Sequence, residues 1–320
     1  MELPLVTCGF TTFNAQKTIL RAINSAINQT YKNIEIVVVD DYSEDNTYKI
    51  LRELSNENNI KIRIFRHKFN KGVAETRNMI INRANGEYLA FFDDDDVSYP
   101  ERINEQIKLI NKFEKLSLEN QQEKKSPLCF TNRNIIYESQ KIMNCKSAFV
   151  DLNYVSSSEA ALAFLSARNF PKNAFPGSTA TCTLCAKLKT LRSIDGFNKE
   201  LRRYEDLDFA IRALQKNVSI ISSANILVDQ YFTNTSEKKN SSKYEFILIK
   251  SHEKFLREED LFDFALLYVK LKNSLLNFSF LNSVFYLIKI FSSYPLKSTL
   301  KIFSATRTIT FTLLNKIYSK

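Results

Sequence analysis

Gly86-Glu87-Tyr88-Leu89-Ala90-Phe91-Phe92-Asp93-Asp94-Asp95-Asp96 sets four carboxylates directly behind an apolar run. Tyr88 to Phe92 has the length and composition of a buried strand. Val97-Ser98-Tyr99-Pro100 leads away into a helix opened by Pro100. Neighbouring like charges disfavour one another's ionisation, and a divalent cation with oxygen ligands removes that cost. Acidic runs are ordinarily solvated loops. This one stands at the end of a buried strand, where open α/β sheets place their ligands.

Upstream of the cluster, strand and helix patterns alternate. Residues 3–13 are apolar and β-branched and predict a first strand ending near Asn14. Ile19, Ile23, Ala26 and Ile27 share one helical face, and Gln29-Thr30-Tyr31 ends that helix. Ile34 to Val39 is a short apolar strand with Asp40-Asp41 at its carboxyl end. Ser43 opens the next helix, whose stripe is Ile50, Leu51 and Leu54. Residues 60–65 alternate as a third strand, and the loop Asn70-Lys71-Gly72 leads into a helix over 73–84. Four strand-helix alternations with short connections predict a parallel, doubly wound α/β sheet with helices on both faces.

Downstream, Ile103, Ile107, Ile110 and Phe113 form a helical face, and polar residues 117–127 predict an exposed loop. Strands are expected at 128–138 and 141–150, and a helix near 158–168. Residues 177–186 are small and extended and could line a cleft. Residues 188–194 predict a short helix closed by Asp195-Gly196-Phe197. Leu207, Ala210, Ile211 and Leu214 mark an amphipathic helix with Glu205 and Asp206 in its first turn. The helix dipole stabilises negative charge there, and simple capping would also place acids at that point.

Composition narrows the chemistry. The 320 residues include 25 Phe and 14 Tyr, enough for a sizeable core. The net charge of +10 is concentrated at the end of the chain. Residues 261–320 carry eight Lys/Arg against the single acid Asp263. A uniformly basic nucleic-acid binder is a poor description of that distribution. Only His67 and His252 are available, so histidine-rich metal sites are excluded and a carboxylate must act as any general base. Five cysteines without a signal peptide predict a reduced, cytoplasmic compartment. Cys182-x-x-Cys185 lacks a second pair and reads as buried thiols. The first strand turn has neither G-x-G-x-x-G nor a Walker A pattern, so a bound nucleotide would be held without a glycine-rich cradle. A metal can neutralise phosphate charge instead.

Six pieces in order resemble a family. They are Thr11-Thr12-Phe13-Asn14, Gln29 through Ile36, Val39 through Asp45, Asn70 through Asn78, Gly86-Glu87-Tyr88 with the Asp cluster, and Gly196-Phe197 ahead of Glu205-Asp206. Together they cover roughly residues 3–215 and resemble glycosyltransferase family 2, an inverting family of GT-A fold found in bacterial cell-surface glycan synthesis.

The resemblance implies roles residue by residue. Thr11 and Phe13 match positions that contact the nucleoside, and Asp41 the carboxylate that accepts from the base, usually uracil. Gly72 and Arg77 match the segment flanking the nucleotide. Asp93 and Asp94 are expected near the ribose and diphosphate, and Asp95 is expected to ligate Mn²⁺ or Mg²⁺. Four consecutive Asp leave the register of the D-x-D pattern open by one residue. Asp206 matches the catalytic base and Glu205 an acceptor-site partner. No Q-x-x-R-W follows, and the chain has no Trp, which favours transfer of single sugars over polymer synthesis.

The expected division is a catalytic domain over 1–232, with a nucleotide-sugar half 1–98 and an acceptor half 99–232. A polar linker at 233–243 and a basic helical tail at 244–320 follow. Tail helices are expected at 244–257, 260–278, 280–293 and 296–318. They would either pack on the catalytic domain or lie on an anionic membrane through residues 260–320. The implied partners are a nucleotide-sugar donor, UDP above all, and a glycan or lipid-linked acceptor of lipopolysaccharide or capsule. The implied place is the inner face of the plasma membrane. The alternatives are a sugar nucleotidyltransferase, which would need a glycine-rich triphosphate loop, and a non-catalytic membrane-associated scaffold.

Overall fold

A computed structural model describes residues 3–57, 61–121, 125–140, 142–150, 155–166, 174–175, 177–232 and 241–294. Strands β1 (Val6–Thr12), β2 (Ile34–Asp40), β3 (Ile62–Arg66) and β4 (Tyr88–Asp93) alternate with helices α1 (Ile19–Ile27), α2 (Thr47–Glu57) and α3 (Val73–Arg83). β1 runs parallel to both β2 and β4, and β2 parallel to β3. The continuous apolar run of β4 follows from burial on both faces. Leu89 and Phe91 enter one hydrophobic cluster with Ile80 and Ile81 of α3. Tyr88, Ala90 and Phe92 enter the other with Phe10, Ile19 and Ile23. The register of β1 sets Thr11 beside Asp93 and, on its other edge, Thr12 beside Asp40, so the carboxyl ends of three strands open on one rim.

The second half makes the sheet mixed. It contributes β5 (Val97–Ser98), α4 (Arg102–Glu119), β6 (Lys125–Ile136), β7 (Ile142–Cys145), β8 (Phe149–Val150), α5 (Ser157–Ser166) and β9 (Ala174–Phe175). A 3-10 turn at Thr181–Thr183, β10 (Cys185–Lys187), α6 (Leu188–Ser193), α7 (Glu205–Gln215) and β11 (Val218–Tyr231) follow. The order is β3-β2-β1-β4-β10-β6-β11-β8-β9, with β5 on β11 and β7 on β6. β10 is antiparallel to both β4 and β6, so the parallel winding expected of the whole sheet holds for its first four strands and for β6 against β11.

Several local expectations change. Val97 and Ser98 pair with β11 as a short strand, and the helix begins at Arg102, two residues after Pro100. The loop expected at 117–127 shrinks from both ends. Residues 117–119 continue α4, with Ser117 Oγ donating to Phe113 O, and Lys125 already opens β6. The segment 177–186 is interrupted by the 3-10 turn before it pairs. β11, a strand of 14 residues, was not anticipated, although Val218-Ser219-Ile220-Ile221 and Ile226-Leu227-Val228 are β-formers.

Helices α8 (Ser241–Ser251), α9 (Glu253–Glu258), α10 (Phe262–Leu276) and α11 (Phe280–Ser293) complete the described chain. The helix expected over 244–257 is broken at His252. Phe262, Phe264, Ala265, Val269 and Leu271 of α10 belong to the same apolar cluster as Phe91, Phe197 and Phe209. Of the linker expected at 233–243, residues 241–243 are the first turn of α8, and 233–240, like the helix expected at 296–318, lie outside the described residues. Among the described residues no helix is long and apolar enough to cross a membrane.

Candidate active site

Two loops at the carboxyl ends of β1 and β2 are stitched together by hydrogen bonds. Asn14 N donates to Ser43 Oγ at 2.9 Å, Ala15 N to Thr47 Oγ1 at 2.7 Å, and Glu44 N to Asn14 Oδ1 at 2.8 Å. Asp41 N donates to Thr12 O at 2.8 Å. The Asp41 carboxylate is buried and accepts from Lys71 N at 2.8 Å and Gly72 N at 2.7 Å. Burial raises its pKa, and those two amides oppose the rise. Each oxygen keeps a further lone pair to offer a donor. Gly72 has a φ of +89°, and the Arg202 side chain lies about 3.8 Å from where its Cβ would stand.

The acidic cluster straddles the end of β4. Thr11 Oγ1 donates to Asp93 Oδ1 at 3.3 Å, and Phe13 N to Asp94 Oδ2 at 2.9 Å, while the Phe13 ring is exposed. Burial, then the charge of Asp95, pushes the Asp94 carboxyl up to about 7. Arg21 NH2 donates to Asp95 O at 2.6 Å, and the Arg21 guanidinium lies 3.8 Å above the Tyr231 ring. Asp96 turns inward. Its Oδ1 accepts from Tyr231 N at 3.0 Å. Burial, followed by Asp93 and Asp95, holds its carboxyl well above the usual range. Single ligand atoms of Asp93, Asp96 and Cys182 lie within 4.8 Å of one another. Burial and then the Asp96 charge raise the Cys182 thiol. Two of these three atoms are carboxylate oxygens, which suit a hard divalent cation, and the third is a thiol; Asp95, the expected metal ligand, is not among them.

Arg77 of α3 reaches across this rim. Its NH1 meets Glu205 Oε1 at 2.8 Å and its NH2 meets Asp93 Oδ1 at 3.5 Å. Burial disfavours the Arg77 charge, but Asp93 and Glu205 outweigh that effect and raise its pKa. Its guanidinium lies 5.4 Å from the Phe197 ring centre. Phe197 stacks on Phe209 of α7 at 4.4 Å and meets the edge of Phe91 of β4 at 5.7 Å. Asn78 fixes that ring from the backbone side, accepting from Phe197 N at 2.6 Å and donating to Phe197 O at 2.9 Å. Gly196 has a φ of +69°, and a Cβ there would collide with Asn78 Oδ1. Only glycine serves at that point.

Tyr204, in the left-handed conformation at φ 65°, turns the chain into α7. Glu205 and Asp206 stand in the first turn, and Asp206 Oδ1 accepts from Leu207 N at 2.8 Å. Burial, then the neighbouring Asp206, raises Glu205, with Arg77 opposing. Asp206 is raised by burial, against the opposing charges of Arg77 and Arg133. A carboxylate whose proton affinity is raised is better suited to general-base work.

The structure therefore joins Thr11, Phe13, Asp93, Asp94, Arg77 and Glu205 through direct contacts, and joins Asp41 to Gly72 separately. Asp206 feels the same site through the charge of Arg77. Arg21 of α1, Arg133 of β6 and Arg202 in the turn before α7 were missed as site residues, because a lone cation carries no motif.

Residues 8–125 match the model of the family described as Glycosyl transferase family 2. Over 105 residues the chain is 37% identical to the Escherichia coli UDP-Glc:alpha-D-GlcNAc-diphosphoundecaprenol beta-1,3-glucosyltransferase WfaP, covering 33% of this chain and 41% of that one. An uncharacterized glycosyltransferase of Rickettsia felis is 29% identical over 243 residues, 76% of this chain and 36% of its own. The chain thus spans well under half the length of these relatives. The crystal structure of S. aureus TarS 1–349 in complex with UDP-GlcNAc superposes with a TM-score of 0.60 at 17% identity, covering 79% of this chain and 66% of that one. The mixed sheet and its flanking helices are those of the GT-A fold, and the C-terminal helices are an addition to it. Over residues 8–125 the chain is thus similar to glycosyl transferase family 2, and its sheet has the GT-A fold.

Proposed function

We propose that this chain transfers a single sugar from a nucleotide-diphosphate sugar, a UDP-sugar above all, to a hydroxyl of a lipid-linked glycan acceptor, with inversion at the anomeric carbon. The observation that carries this reading is Arg77, which ties the donor-side carboxylate Asp93 to Glu205 beside Asp206. The donor class is supported by a relative named for UDP-Glc and by a structural neighbour that holds UDP-GlcNAc. The acceptor class is supported by the diphosphoundecaprenol in that relative's name.

Asp41 accepts from the base, with Thr11 and Phe13 flanking the nucleoside. Asp93 and Asp94 face the ribose and diphosphate. A divalent cation, Mn²⁺ or Mg²⁺, held by Asp95 would supply charge neutralisation for the departing diphosphate. Asp206 takes the proton of the acceptor hydroxyl as that oxygen forms its bond to the anomeric carbon and the bond to the diphosphate breaks. Glu205, held by Arg77, orients the acceptor. The division into donor half 1–98 and acceptor half 99–232, and work at the inner face of the plasma membrane, belong to the same reading.

The test is a thermal-shift panel of UDP, GDP, CDP and dTDP, each with Mn²⁺ and with EDTA. The expected result is a metal-dependent rise with UDP. No rise with any nucleotide, together with no transfer from UDP-sugars to a diphosphoundecaprenol-linked acceptor, would overturn the reading.

A further inference from the structure

The tail expectation divides when the helices are placed. α10 packs inward, whereas α11 buries only Ser283 and Ile290 and half-buries Tyr286 and Leu287. Its other face is apolar and bare. Phe280 is 78% exposed, Leu281 82%, Phe285 57% and Ile288 64%, with Phe278 before the helix and Phe291 at its end also exposed. Leu281, Phe285 and Ile288 fall at i, i+4 and i+7, a single stripe.

Charge identifies what covers this stripe. Lys270 on α10 and Lys289 on α11 are exposed, and residues 264–320 hold eight cations and no carboxylate. A second copy pressed here would bring Lys270 and Lys289 against the same cations, with Asp263 the one carboxylate that α10 and α11 carry to pair them. Residues 295–320 carry five cations and no acid, so they offer the stripe no opposite charge either. An anionic lipid surface satisfies both halves of the pattern, accepting aromatic and aliphatic side chains below its headgroups and cations among them. At 14 residues α11 is about 21 Å long, short of the ~30 Å hydrocarbon core, so it would lie along the surface.

We infer that α11 is an in-plane anchor for an anionic bilayer, with Phe280, Leu281, Phe285 and Ile288 inserted and Lys270 and Lys289 among the headgroups. This deepens the proposed use of a lipid-linked acceptor, since it brings the site to the surface that carries such acceptors. It rests on that reading for its purpose alone, and its test does not involve transfer.

The full chain is floated with vesicles of phosphatidylcholine, with and without phosphatidylglycerol, at low and high salt. Binding is expected to be about tenfold tighter with phosphatidylglycerol and to weaken with salt. The triple variant Phe280→Ser, Phe285→Ser and Ile288→Ser changes exposed positions only, and is expected to lose binding at least tenfold while keeping its unfolding midpoint. Absence of vesicle binding, equal binding by the variant, or a wild-type dimer that the variant dissolves would overturn the anchor. An unchanged UDP thermal shift in the variant separates failure of the anchor from failure of the proposed reaction.

Discussion

Arg77 NH1 lies 2.8 Å from Glu205 Oε1, joining residues 128 positions apart, while NH2 of the same guanidinium faces Asp93 at 3.5 Å. One buried cation thus fixes the acidic strand end against the acidic helix start. Its removal leaves carboxylates uncompensated, which costs about 3–5 kcal/mol for a buried pair. Arg77→Ala is expected to lower the unfolding midpoint sharply. Arg77→Lys carries the charge without the two-pronged geometry, and should retain most of the stability while losing about a hundredfold in kcat/KM. Steady-state kinetics on the Lys variant check the claim, and near-normal turnover would make Arg77 a structural residue only.

Asp206 and Glu205 are assigned different work, and their variants separate it. Asp206→Asn keeps size and polarity but removes the basic oxygen, so transfer should fall by about a thousandfold while UDP binding stays within a few-fold. Glu205→Gln should raise the KM for acceptor more than it lowers kcat if, as proposed, Glu205 orients the acceptor and Asp206 takes the proton. Isothermal titration with UDP beside a transfer assay reads both, and an Asp206→Asn enzyme with ordinary turnover would remove Asp206 from the role.

The pH profile follows from the same pair. Burial raises both carboxyls, so the basic form gains population as pH rises toward neutrality. kcat/KM is expected to reach its plateau at a higher pH than an ordinary carboxylate base would give. The stability sign is opposite. A carboxyl whose folded pKa is raised contributes stability that is full below its unfolded value and is lost as pH rises through the raised one. Wild-type stability should therefore decline relative to Glu205→Gln on approaching neutral pH, which denaturant melts at several pH values would detect.

Asp95 is the residue proposed to hold the cation, and Asp95→Ala tests that without an activity assay. Wild type should be stabilised by UDP with Mn²⁺ by about 2.7 kcal/mol at about a hundred times Kd, and the variant should show little Mn²⁺-dependent increment. Asp96→Ala is the contrasting case. Asp96 faces inward onto Tyr231 N, so its loss should lower stability even without ligand. A full Mn²⁺-dependent shift in Asp95→Ala would move the role to another Asp of the run.

How much of this could be read from residues alone depends on how local the signal is. The first four strands were legible because each is a short apolar run closed by a polar turn, and Asp93, Asp41 and Asp206 fell at element ends that periodicity locates. β10 was not legible. Three residues, Cys185–Lys187, lie antiparallel between β4 and β6, and nothing in so short a run specifies its partners. β11 was missed because Ser222, Ser223, Ala224 and Asn225 interrupt its pattern, where the pairing to β6 shifts register. Arg77's bridge depends on Gly196, Asn78 and Phe197 meeting in space, a long-range coincidence that spacing does not encode.

Asp208, two residues beyond Asp206, shows that the C-terminal helices hold the site. It is 1% exposed and lies 3.0 Å from His252 Nε2, at the junction of α8 and α9, and 2.8 Å from Arg212 Nε. Burial alone would raise the Asp208 carboxyl, but the His252 hydrogen bond and Arg212 outweigh it and hold the pKa below the usual value. The stability that this supplies is present above the ordinary carboxylate range and lost as pH falls through the depressed value. Arg212 NH2 also donates to Gly196 O at 2.7 Å, so the same network steadies the loop that carries Phe197. His252→Ala is expected to cost about 2 kcal/mol, the worth of a hydrogen bond to a charged group, and to raise the pH of acid unfolding. Because α7 carries Asp206, kcat should fall several-fold while UDP affinity is kept, a split that simple loss of stability would not produce. Unchanged kcat in a destabilised His252→Ala enzyme would confine His252 to holding the fold.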